Sequence, residues 1–443
     1  MDWQVPAIDD ALRHGILWGS AGPAAPRTRL AAPSRQSQEV RRMMTDPLKV
    51  LCVVDYYLPG FKGGGPLRTI ANMRAMLSGE LELAVFTRDR DLGADTPYDN
   101  VAADCWTKTA SGPVYYAGPD MFGVPGLQQA MKGRAFDLLY LNSFFGPRSS
   151  ILPYLWLHRA RPELPILLAP RGEFSPGALA LKRTKKRAYL TLVRALGLYR
   201  DVHWHASTEA EKDDILRQFP QANSVHLAED PVHLEAELPV LAASGPNRTG
   251  SLRIVFISRI SPMKNLNGLL RLLTTMSLPI ELDIFGPIED QLYWNSCQAL
   301  IAKLPPQIRA TWKGELEPDA VSPTFANYDL FAFPTHGENF GHVIFEALRA
   351  GTPVLISDRT PWKTDGSGAI TTVALDDTES WRAQLKQAAD RTDSEKARLR
   401  DAALSFAEDY AHGSGTLARN LAMFKAAADG GHGRAALPPQ AQA

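Results

Sequence analysis

Residues 336–357 read HGENFGHVIFEALRAGTPVLIS. A short apolar run precedes them, LFAFP at 330–334, and another closes them, PVLIS at 353–357. Asn339, Phe340 and Gly341 fall where a loop turns into a helix. Strand, helix, strand is the unit from which parallel sheets are wound. Backbone N–H groups at such a helix start offer an anion site. A helix beginning near Gly341 puts Glu346 in its second turn and leaves Glu338 in the loop. Both carboxylates then face one cleft, on either side of a bound phosphate.

Working outward, the same alternation recurs. RIVFISR (253–259), ELDIFGP (281–287) and ATWKG (310–314) are further strands of this second series. An earlier series runs through KVLCVVDYYL (49–58), LAVFT (83–87), DLLYLN (137–142), ILLAP (166–170) and VHWHAS (202–207). The segment LRTIANMRAML (67–77) has a helical pattern, and Thr208–Glu211 reads as a capping box opening EAEKDDILRQF. The turn-rich stretch 236–252 separates the two series as a linker. The expected organisation is an N-terminal domain over 46–235, a C-terminal domain over 253–412, and a last helix over 413–428 that packs back on the first domain. Residues 1–45 and 429–443 read as tails, the first rich in Ala, Pro, Ser and Arg. Met43 or Met44 would serve as an alternative start. Two doubly wound α/β domains facing a cleft bind ligands at the carboxyl edges of their strands.

Composition agrees with this class. The 443 residues carry 48 Lys+Arg against 48 Asp+Glu, with 45% hydrophobic and 22% charged residues. That excludes a disordered chain and a disulfide scaffold, and it provides no overall basic field for nucleic acid. Cys52, Cys105 and Cys297 are far apart in sequence, so neither a zinc site nor a disulfide framework is expected. No apolar run reaches membrane-spanning length, and MDWQVPAIDD opens without a signal-peptide pattern. A cytoplasmic location follows, with peripheral attachment to the inner face of the plasma membrane as the alternative.

Further motifs flank the cleft. In FISRISPMKNLNGLL (256–270), Arg259 and Lys264 sit at a strand's carboxyl edge, where two cations neutralise a diphosphate. In GFKGGGPLRTI (60–70), Gly63, Gly64 and Gly65 allow close backbone approach before a helix with Pro66 in its first turn. In 169–196, Arg171 and Glu173 either contact donor or acceptor or form a structural ion pair. The helix that follows carries Lys182, Arg183, Lys185, Lys186 and Arg187, with Tyr189, Leu192, Val193 and Leu196 as an apolar stripe. Over 182–196 this pattern suits an anionic membrane surface, or a core stripe under a solvated charge run. Asp89-Arg90-Asp91 imitates a metal-binding Asp-x-Asp but reads as a loop. His203 and His205 suit packing as well as catalysis, and His336 could line the donor pocket.

Together these stretches resemble glycosyltransferase family 4, of the two-domain GT-B architecture. The family's Glu-x7-Glu motif is matched by Glu338 and Glu346, with the adjoining Phe-Gly and the AGTPV turn. The resemblance implies a retaining enzyme that moves a sugar from a nucleoside-diphosphate sugar to a saccharide or lipid-linked acceptor, in cell-surface polysaccharide synthesis. It implies that Glu338, Arg259 and Lys264 carry the chemistry. It places the donor against Glu346, Gly286, Asn339, Phe340, Gly341, His342, Gly64 and Gly65. No metal and no resident cofactor are implied. The His that many members carry after the fourth strand of the first series is replaced here by Pro170-Arg171-Gly172-Glu173. The alternatives are another GT-B enzyme, such as a nucleotide-sugar epimerase or a phosphorylase, and a partner protein that has lost its chemistry.

Overall fold

A computed structural model of the chain describes residues 47–232, 250–413 and 415–432. The expected tail 1–45, nearly all of the linker and the last eleven residues lie outside them. Two sheets form. The first contains β1 (Leu48–Val53), β2 (Leu81–Arg88), β3 (Cys105–Thr109), β4 (Gly112–Ala117), β5 (Leu138–Leu141), β6 (Ile166–Leu168), β7 (His203–Ala206) and β8 (Val225–Leu227). Its order is β3-β4-β2-β1-β5-β6-β7-β8. All neighbours are parallel except the β3–β4 hairpin at one edge. The second contains β9 (Leu252–Ile257), β10 (Ile280–Phe285), β11 (Ile308–Trp312), β12 (Leu330–Phe333), β13 (Val354–Ser357) and β14 (Ile370–Val373), all parallel, in the order β11-β10-β9-β12-β13-β14.

The strands that sequence located carry apolar residues at their shielded positions. LFAF in β12 is an unbroken apolar run, and in LKVLCV of β1 the four residues after Lys49 are buried. Their ends differ from expectation. β1 stops at Val53, so Val54–Leu58 is loop, and the linker yields to β9 at Leu252. The hairpin β3–β4, the edge strand β8 and the edge strand β14 were not foreseen. The edge strands β3, β8 and β14 are short and partly exposed, so their apolar patterns are thin, while β4 is buried over 114–117 but opens on Gly112-Pro113.

In each sheet the strand order reverses beside the first strand of its series: between β1 and β5, and between β9 and β12. Loops leaving those strands diverge there and open a crevice. The residues 393–413 form one long helix, and a separate helix, Thr416–His432, packs onto the first sheet. Met423, Phe424 and Ala427 join the core formed by Cys52 and Tyr140, with the Phe424 and Tyr140 rings edge-on at 5.2 Å.

Candidate functional site

On the second sheet, the loops after β9 and β12 are stitched together. Asn265 adopts a left-handed conformation (φ 57°) and caps the Leu266–Leu273 helix, its side chain accepting from the Gly268 N–H. Its amide also donates to the Pro334 carbonyl at 2.9 Å. His336 N–H donates to the Met263 carbonyl at 2.8 Å. This places Lys264 Nζ 2.5 Å from Glu338 Oε1, both side chains largely shielded. Arg259 instead meets Glu289 at 2.9 Å, with both side chains well exposed. The two cations foreseen for a diphosphate are therefore each held by a carboxylate. An incoming polyanion would exchange with those partners.

The helix His342–Arg349 begins after Gly341, whose φ of 84° favours glycine. Phe340, expected at the donor, is buried: its ring lies 5.2 Å from that of Trp362, and its carbonyl accepts from the Trp362 indole. Phe340 therefore anchors the loop, and its side chain is not in the cleft. Gly286 has a packing reason of its own. A Cβ there would lie 2.0 Å from the Ser258 carbonyl oxygen, so only glycine lets the ends of β9 and β10 meet. Glu346 reaches Arg68 of the first half at 3.9 Å. Burial raises its carboxyl pKa, and the Arg68 and Arg349 charges oppose that rise.

The glycine loop closes over this helix start. Asp91 accepts from the N–H groups of Phe61 and Lys62 at 2.9 and 3.2 Å, which pins the loop and uses the third residue of the Asp-x-Asp look-alike. Lys62 pairs with Glu315 of the second half at 2.8 Å. Gly64 has a φ of 74°, and a Cβ on it would meet nothing within 4 Å. At Gly65 a Cβ would sit 3.7 Å from the His342 ring.

His342 Nε2 lies 2.9 Å from the Thr69 hydroxyl, which donates to Asp230 Oδ2 at 2.8 Å. With that proton committed, Thr69 accepts from His342, which fixes the Nε2–H tautomer. Burial pushes the His342 pKa down to about 4; the Asp230 carboxylate pulls the other way. Asp230 also takes Arg171 Nη1 at 2.6 Å, in an ion pair whose side chains are 6% and 5% exposed.

Arg171 and Glu173 thus resolve to structural roles. The remaining Arg171 donors go to Asn142 Oδ1 and the Tyr140 hydroxyl. Tyr140 lies 2.6 Å from His205 Nδ1, and His205 Nε2 lies 2.8 Å from the Ala228 carbonyl. His205 is therefore packed, its pKa lowered by burial to about 3. His203 meets Ser224 beside His226. Glu173 accepts from the N–H groups of Phe144 and Phe145 and from the Ser143 hydroxyl, holding the loop after β5. Asn339 crosses to the first half, donating to Ser207 Oγ at 2.7 Å. Thr208 caps its helix as read, but Glu211 does not turn back on it. Its carboxylate takes the Gly172 and Ser207 N–H groups instead.

No motif includes Asp230 or marks Asp55 and Arg88 as a pair, Thr69 lies in the glycine-loop segment, and Glu211 reads only as part of a capping box; their partners come from distant stretches of chain. Among the described residues, no group of three or more His, Cys, Asp or Glu is placed to hold a metal ion.

Residues 241–364, which span the stitched loops and the helix start, match the family model for glycosyl transferases group 1. No curated protein sequence matches the chain. Among solved structures, the sucrose-phosphate synthase of Thermosynechococcus elongatus is similar with a TM-score of 0.66 and 15% identity, over 86% of this chain and 98% of that one. The Anabaena protein HepE, solved with UDP and glucose, has a TM-score of 0.63 and 17% identity, over 86% and 99%. A Rickettsia africae glycosyltransferase gives 0.60 and 14%, over 86% and 99%. The scaffold is that of the GT-B glycosyltransferases. On it, residues 241–364 are similar to the group 1 glycosyl transferases.

Proposed function

We propose that the protein is a retaining glycosyltransferase that moves a sugar from a nucleoside-diphosphate sugar to a glycan or lipid-linked acceptor, in cell-surface polysaccharide synthesis. The observation that carries this reading is the Lys264–Glu338 pair set against the start of the His342–Arg349 helix, at the strand-order reversal of the second sheet. Cations, a hydroxyl-accepting carboxylate and free backbone N–H groups together suit a sugar diphosphate. HepE, solved with UDP-glucose, makes uridine the first base to test.

In this reading the diphosphate leaves toward Arg259, Lys264 and the N–H groups around Gly341. Charge that develops on the leaving oxygen meets donors already in place, which lowers the barrier without reorganisation. Glu338, released from Lys264, accepts hydroxyls of the donor sugar, and Glu346 those of the ribose. The acceptor attacks on the face the leaving group vacates. Contacts between the halves, from Lys62 to Glu315 and from Asn339 to Ser207, exclude water from the junction. The residues supply the charge neutralisation themselves, so the proposal includes no metal and no cofactor.

A membrane surface is the second part of the proposal. The helix Arg183–Ala195 buries Leu190 and Val193, while Leu192 and Leu196 stand 55% and 63% exposed beside exposed Leu181. The stripe expected as core is thus split, and half of it faces solvent. Lys182, Arg183, Lys185 and Arg187 make no ion pair among the described residues. An exposed apolar stripe with unpaired cations suits the cytoplasmic face of an anionic bilayer. No helix among the described residues is long and apolar enough to cross a membrane.

Thermal melting with UDP, GDP and ADP, without metal, tests the reading. A ligand bound to the native state alone raises the melting point. One nucleotide should stabilise the wild type and stabilise Glu346→Ala far less. No shift with any of the three would sink the transferase reading and favour the degenerate-partner alternative. Conversion of the nucleotide-sugar to an isomer without any acceptor would favour the epimerase alternative.

A further inference from the structure

The first sheet has its own strand-order reversal, between β1 and β5. The side chains there differ from those named by motif. Arg88 ends β2, and Asp55 follows β1. Arg88 Nη2 donates to Asp55 Oδ1 at 3.2 Å, and Ser149 donates to Asp55 Oδ2 at 2.7 Å. The Arg88 guanidinium lies 4.0 Å from the Phe122 ring centroid and 5.7 Å from that of Tyr56. Two rings hold the planar fork in place. Yet among the described residues only one of its donors is used, and Nε is buried without a partner.

A side chain so placed and so under-used is shaped for a ligand. The pair remains reachable, with Arg88 29% and Asp55 35% exposed. Its charges cancel, so a phosphate or carboxylate gains little there. A neutral diol gains most, because one hydroxyl can donate to the carboxylate while its neighbour accepts from the guanidinium. Tyr56 also touches the glycine loop: a Cβ on Gly63 would lie 2.6 Å from Tyr56 Cβ. Tyr56 therefore joins the pair to the loop whose Gly65 faces His342. Arg171 and Glu173, the groups sequence reading offered for this task, are spent on internal partners.

We infer that Asp55 and Arg88 form a saccharide subsite that binds a neutral vicinal diol of the acceptor, with Tyr56 as its wall. The transferase reading supplies only the role of the occupant; the recognition chemistry stands on the pair.

The test is saturation-transfer NMR with methyl α-glucoside, methyl α-galactoside and methyl glucuronide, in the presence of UDP. At least one neutral glycoside should give a signal in the wild type. That signal should fall roughly fivefold or more in both Asp55→Asn and Arg88→Lys, the loss expected when a charged hydrogen-bond partner is altered. The nucleotide-induced melting shift should be unchanged in both variants, which also shows that they are folded. No glycoside signal in the wild type, an equal signal in both variants, or preference for the glucuronide would overturn the inference. Glycoside binding without any nucleotide shift would instead sink the transferase reading and leave the subsite standing.

Discussion

At the cleft edge of the second sheet, the polar groups come from two stretches of chain, 258–265 and 335–346. At the matching edge of the first sheet they come from five places, around Asp55, Arg88, Asn142, Arg171 and Asp230. The second edge offers cations and backbone donors to a polyanion. The first has turned most of its polar atoms on one another, in a buried chain from Arg171 through Asp230 and Thr69 to His342. On the proposed function, the difference follows from the ligand. A diphosphate needs a helix start and point charges, which neighbouring residues supply. Recognition of a neutral acceptor needs donors and acceptors at set angles, which strands far apart in sequence supply together. The buried chain also links the halves, because its last member belongs to the His342–Arg349 helix.

The contrast can be broken from either side. The largest effect is expected for Asp230→Ala. It leaves Arg171 charged, buried and unpaired, which costs about 3–5 kcal/mol. Urea denaturation should show it, whereas Asp230→Asn, which still accepts a hydrogen bond, should lose less. Equal stability in wild type and alanine variant would mean that the pair holds nothing together.

Lys264→Ala should do the reverse. On the proposed function it removes a leaving-group contact, from a loop held by other bonds. A loss of about 10²–10³ in turnover is expected, the scale for a lost oxyanion donor, with a melting point near that of the wild type. A large stability loss with normal turnover per folded molecule would reassign Lys264 to structure.

The smallest effect concerns acid. His342 has a folded pKa of about 4 against an ordinary 6.5, so the folded state binds its proton less readily than the unfolded one. Its contribution is complete above pH 6.5 and is lost as pH falls toward 4, up to about 3 kcal/mol by linkage. His205 acts in the same sense, while Glu173 and Glu211, raised by burial, oppose both. Denaturation at pH 7 and pH 4.5 should show a smaller acid loss in His342→Gln than in the wild type. An unchanged acid loss would free His342 from the tautomer assigned to it.

The second sheet's cleft edge was legible from sequence because its parts are local. Glu338, Gly341 and Glu346 lie within one loop and one helix, and Lys264 follows its strand by a few residues. Even there, the roles of Phe340 and Gly286 depended on their neighbours: an indole in one case and a carbonyl 2.0 Å from a virtual Cβ in the other. The first sheet's cleft edge was not legible. Nothing in the sequence marks Asp230 as the partner of Arg171, 59 positions away, or Arg88 as the partner of Asp55. Edge strands β3, β8 and β14 escaped notice because half-exposed strands lack an unbroken apolar run.

By itself, then, the sequence determined the alternation of strand and helix, the two-sheet α/β class and the local grouping of polar residues at the second sheet's cleft edge. Apolar periodicity and helix-start chemistry are written over a few neighbouring residues. Only the tertiary structure decided which carboxylate meets which cation, which histidine is buried and in what tautomer, and which half of the 182–196 stripe faces solvent. Those outcomes depend on burial and on contacts between distant strands, and neither is a property of any short stretch of chain.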